Sequence, residues 1–71
     1  MSSLLSINQK PSLGLEAKRI RLSLPLTQHE LATITGVSLE EVDLFEHNLP
    51  VQADVKLKIL RELWTRQVGK R

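Results

Sequence analysis

Cysteine is absent from the 71-residue chain. That excludes a disulfide framework and any metal held by thiolates. Aromatic residues are scarce: Phe45 and Trp64 stand alone, with no Tyr. β-Sandwiches and barrels draw on aromatic and β-branched strands at regular spacing, and this chain has few of them. No apolar run approaches the roughly 18 residues of a membrane-spanning helix. The opening Met1-Ser2-Ser3-Leu4-Leu5 has no basic segment and no long apolar one, so no signal peptide is expected. Gly14, Gly36 and Gly69 are isolated, so no glycine-rich phosphate loop is present. What remains is one small helical domain, expected in the cytoplasm and away from membranes. Its size leaves little room for a complete enzyme active site.

Charge of one sign is also missing where it matters. Between residues 22 and 55 there is no Lys or Arg, while Glu30, Glu40, Glu41, Asp43, Glu46 and Asp54 all fall there. The basic residues lie at the two ends. Lys10, Lys18, Arg19 and Arg21 precede the acidic middle, and Lys56, Lys58, Arg61, Arg66, Lys70 and Arg71 follow it. Such segregation points to an anionic partner for the flanks, or to charges that cover a solvated surface and pair on folding.

Apolar spacing and caps organise what is there. Residues 1–11 show no clear period and read as a flexible N-terminal arm. Ser12 caps a first helix, on which Leu13, Ala17, Ile20 and Leu24 recur at helical spacing until Pro25. Gly14 weakens its first turn. Thr27 caps a second helix of about 27–34, and Glu30 three residues on completes a capping box. Leu26 and Leu31 are the matching hydrophobic staple, and Gly36 ends the run. The same grammar returns eleven residues later. Ser38 and Glu41 form a second box, Val37 and Val42 a second staple, for a helix of about 38–47. Leu39, Val42, Phe45 and Leu49 follow its spacing, and Asn48 and Pro50 close it. Two boxed helices joined by a short turn with a glycine describe a helix-turn-helix pair. A fourth helix starts near Asp54 as cap. Leu57, Leu60 and Trp64, with Ile59 and Leu63 beside them, give it a broad apolar face; the Leu57, Leu60 and Trp64 stripe is most simply core, and the helix fades near Gly69. The domain thus spans 12–68, with a frayed tail at 69–71.

The run Arg21-Leu22-Ser23-Leu24-Pro25-Leu26-Thr27-Gln28-His29-Glu30-Leu31-Ala32, continued by Ile34-Thr35-Gly36-Val37-Ser38, resembles the Cro and phage-repressor type of helix-turn-helix domain, the XRE family. The resemblance covers roughly residues 13–65. It implies an all-α, compact, lambda-repressor-like bundle of four or five helices, whose third helix lies in the DNA major groove. It implies that Gln28 holds a phosphate, and that the caps Thr27 and Ser38 also face the DNA backbone. Ser38, Leu39, Glu40 and Leu44 fall where the family reads base edges, and His47 and Asn48 where a loop touches phosphates. Arg21 and Glu46 match a structural ion pair. Leu31, Ala32, Val37, Val42 and Phe45 match the core of the motif.

The reading helix departs from the family pattern. It carries Glu40, Glu41, Asp43 and Glu46 and no basic residue, and phosphates dominate DNA affinity. One such acid can accept a bond from cytosine N4. The reading is therefore a DNA-binding transcriptional regulator, with double-stranded DNA as partner and the basic flanks on phosphates. The alternative is a protein-interaction module on the same scaffold. In that case the acidic surface meets a basic protein partner, or the fourth helix forms a homodimer seam. No catalytic signature joins the Ser, His and Asp residues, so no enzyme and no cofactor is expected. His29 and His47 lack the further ligands of a closed metal site.

Overall fold

The computed structural model describes residues 12–69. These form four α-helices and no strand: α1 (Leu13–Ser23), α2 (Gln28–Thr35), α3 (Leu39–Glu46) and α4 (Ala53–Gly69). The arm expected at 1–11 lies outside the described residues, as do the last two residues of the tail. No helix among the described residues is long and apolar enough to cross a membrane.

Local chemistry explains each boundary. The Ser12 hydroxyl accepts the Leu15 N–H at 3.0 Å and opens α1. At the start of α2, Thr27 accepts the Glu30 N–H at 2.9 Å while Glu30 accepts the Thr27 N–H at 2.8 Å. Ser38 and Glu41 repeat the exchange before α3, at 3.0 and 2.8 Å. Each box satisfies two donors that a helix start otherwise leaves to water. Gly36 ends α2 with φ at 81°, a left-handed conformation that side chains strain to adopt. α3 ends differently. Asn48 takes the left-handed position, with φ at 61°. The Leu49 N–H reaches back to the Leu44 carbonyl and the Asn48 N–H to that of Phe45, both at 2.9 Å. That is a Schellman closure with asparagine in place of glycine.

The start of α4 corrects the sequence reading. The helix begins at Ala53, so Asp54 lies in its first turn and is not the cap. A carboxylate there still favours the helix through the dipole, and it pairs with Lys58 at 3.9 Å.

Every helix feeds one core. α1 supplies Ala17 and Ile20, α2 Leu31 and Ala32, α3 Val42 and Phe45, and α4 Val55, Ile59, Leu60 and Leu63, with Val37 from the turn between α2 and α3. α2 packs on α3, and α1 and α4 pack on each other and on that pair. Gly14 makes the closest approach. A Cβ there would overlap the Phe45 carbonyl oxygen. Its N–H, an unpaired donor of the first turn of α1, is taken by Asn48 Oδ1 at 3.2 Å. The residue that looks like a weakness of α1 is what lets α1 touch the end of α3.

The face expected as core on α4 holds in part. Leu60, Ile59 and Leu63 are buried, together with Val55, whereas Leu57 is 61% and Trp64 47% exposed. Both sets recur at helical spacing, so periodicity alone does not choose between them. The choice is made by which side meets α1.

Candidate nucleic-acid interface

Arg21 and Glu46 are 25 residues apart and almost wholly buried together. Arg21 Nε donates to Glu46 Oε2 at 2.6 Å and Nη2 to Oε1 at 3.0 Å. The third nitrogen, Nη1, donates to the Leu26 carbonyl at 2.8 Å, and the Leu26 N–H returns a bond to the Arg21 carbonyl. One guanidinium therefore ties the end of α1, the α1–α2 loop and the end of α3 into a fixed arrangement. No buried side-chain nitrogen or oxygen among the described residues lacks a partner. A buried pair in this state adds little net stability, but it is costly to break, because one charge is then stranded away from water.

Gln28 extends this network. Its Nε2 donates to Glu46 Oε1 at 2.9 Å and to Asp43 Oδ1 at 3.3 Å. The first residue of α2 is thereby fixed to α3. Both amide hydrogens point at carboxylates of the protein. A phosphate at this position has to displace the longer bond, the one to exposed Asp43.

Ser38, Leu39, Glu40 and Asp43 face solvent on α3, and Thr27 and His29 do so at the start of α2. Leu44 is half-buried, and its carbonyl serves the Schellman closure. His47 is exposed. Its Nδ1 lies 2.9 Å from the Asp43 carbonyl and 3.4 Å from Asp43 Oδ1. Asn48 Oδ1 is occupied by the Gly14 N–H, so this side chain serves the fold first. Arg21 and Glu46 lie behind the surface and support it.

A shallow groove runs between the end of α1 and the start of α3. Leu22, Pro25, Leu26, Thr27, Gln28, His29 and Leu39 line it, above Arg21. It brings Leu39 together with the first turn of α2. Leu22 and His29 were not singled out in the sequence as members of this surface. The available signal was negative: Leu22 falls off the Ala17–Ile20 face of α1 and so has to point outward. Lys18 and Arg19 are exposed on α1 one turn before Leu22. They are the exposed cations of α1 nearest to this rim along the chain, since Arg21 is buried and α2 and α3 carry none. Among the described residues no group of three or more His, Asp or Glu side chains could hold a metal ion.

Comparison with known proteins adds no relative: no family model, no curated protein and no solved structure matches the chain.

Proposed function

We infer that the domain binds double-stranded DNA as a small transcriptional regulator of the Cro and phage-repressor type, α2 and α3 being its helix-turn-helix and α3 entering the major groove. One observation carries this reading. The buried Arg21–Glu46–Gln28 network fixes α2 on α3 so that Leu39 and the Thr27–Gln28 turn share one exposed groove. A side chain such as Leu39 contacts a thymine methyl, and Glu40 accepts a bond from cytosine N4. Gln28 keeps its shorter bond to Glu46 and turns its other hydrogen to a phosphate. Lys18 and Arg19, with the basic flanks, supply the cations that α3 lacks. The role is recognition, with no reaction and no cofactor.

The test is duplex binding by fluorescence anisotropy across a salt series. The affinity of the native chain should fall steeply with salt. Replacing Lys18 and Arg19 together by Ala should flatten the log–log slope by about 2, roughly one unit per lost phosphate contact. An unchanged slope removes these two residues from the interface.

A second reading draws on a different observation. Glu40 and Asp43 are exposed on α3 and Glu30 on α2, beside exposed Leu39, with no Lys or Arg on either helix. That surface also suits a basic protein partner, through charge complementarity around an apolar contact. It predicts no DNA affinity for α2 and α3 at any salt concentration.

A further inference from the structure

The outer face of α4 has no part in the DNA-binding reading. Leu57, Trp64 and Val68 are 61%, 47% and 64% exposed on it, although α4 docks its other side against the core. Arg61 is exposed between them. The four residues follow one another at intervals of four, three and four, so they lie in one line along the helix. That interval pattern reads the same in both directions. A second α4 laid antiparallel across it, with the two-fold axis between residues 62 and 63, sets Leu57 against the partner's Val68. The same placement sets Arg61 against the partner's Trp64, and symmetry makes each contact twice.

We propose that this stripe is the seam of a symmetric antiparallel homodimer, with each Arg61 guanidinium stacked on the partner's Trp64. Charge decides the direction. A parallel pairing would set Arg61 against the partner's Arg61, whereas the antiparallel one gives each cation an aromatic face. Among the described residues Arg61 has no charge partner. Lys58 is held by Asp54 at 3.9 Å and Arg66 by Glu62 at 2.7 Å, while no described carboxylate pairs with Arg61. The occupant is a second copy because the stripe complements itself residue for residue. The seam does not depend on what α3 contacts.

One pair of 17-residue helices makes a narrow seam, so the dimer is weak. Its area falls below the roughly 1,200–2,000 Å² of stable complexes, and a dissociation constant of about 10–1,000 μM is expected. α4 also carries more Lys and Arg than Asp and Glu, so added salt should tighten the dimer. DNA binding has the opposite salt dependence.

Sedimentation equilibrium on the full chain tests this, with the emission of Trp64 as a second readout, since the chain has one Trp. Up to about 1 mM the native chain should pass from monomer to dimer, with a blue shift of Trp64 emission. Trp64→Arg sets one guanidinium against another and should leave a monomer. Adding Arg61→Trp to that variant exchanges the two partners across the axis and should recover most of the dimer. Both substituted positions are exposed, and matching far-ultraviolet circular dichroism verifies that each variant is folded. A native chain monomeric to about 1 mM, a dimer untouched by Trp64→Arg, or a folded double variant that stays monomeric would each overturn the proposal.

Discussion

Individual side chains do two kinds of work here, and substitution separates them. Phe45 is core: it is 3% exposed and joins α3 to the other helices. Phe45→Ala should cost about 3–5 kcal/mol in urea denaturation, through lost burial and the cavity left behind. A loss below about 1 kcal/mol would refute its place in the core. Glu46 is different, because its carboxylate is the only described anion that meets the Arg21 guanidinium. Glu46→Ala strands that buried charge and should cost about 3–5 kcal/mol, most of the stability of a domain this small. The paired change Arg21→Met with Glu46→Leu should cost much less, if the pair sets geometry more than stability. Gly14→Ala should cost about 1–3 kcal/mol, because the added carbon meets backbone and not a flexible side chain. Phe45 was legible in the sequence because it shares a helical spacing with Val42. Gly14 was not. A Cβ clash with the Phe45 carbonyl of α3, far along the chain, leaves no local mark, and helix propensity alone argues in the wrong direction. Arg21 and Glu46 came from the family resemblance and not from spacing, since nothing local joins residues 25 apart.

Helix ends were the most legible elements, because a cap is chemistry within four residues. Thr27, Glu30, Ser38 and Glu41 sit in reciprocal boxes, and Gly36 takes the left-handed turn between them. Thr27→Ala and Ser38→Ala should each cost about 1 kcal/mol, and thermal unfolding of the two variants checks this. Helix faces were less legible. α4 presents apolar residues on two sides, and the sequence reading took Leu57 and Trp64 on the outer one for core along with Leu60, Ile59 and Leu63 on the inner one. Its inner face is defined only by contact with α1 and the α2–α3 pair. Asp54 misled for a related reason: good caps and good first-turn residues are the same residue types. The turn after α3 held a further surprise. Asn48 spends its backbone on the Schellman closure and its Oδ1 on the Gly14 N–H of α1.

Taken as one body, the domain sorts its charge along the chain. Along the sequence the acidic α2–α3 stretch stands between basic α1 and α4, and that pattern was visible before any helix was placed. What the sequence did not show is how much of the acid is internal business. Glu46 is buried on Arg21, Glu30 and Glu41 close capping boxes, and Asp43 holds Gln28 and His47. Only Glu40, of the acids on α3, has no partner among the described residues. Of the acids on α3 only Glu46 meets an Arg or Lys, so Glu40, Glu41 and Asp43 keep their charge, and any approach of α3 to a polyanion works against them. The measurement that bears on this most directly is an amide NMR titration with short mixed-sequence duplex DNA at low ionic strength. DNA binding through α3 predicts shifts at Gln28 and across residues 38–44, accompanied by Lys18 and Arg19, all fading as salt is added. Shifts confined to the Lys and Arg flanks, or no shifts at all, would contradict entry of α3 into the groove.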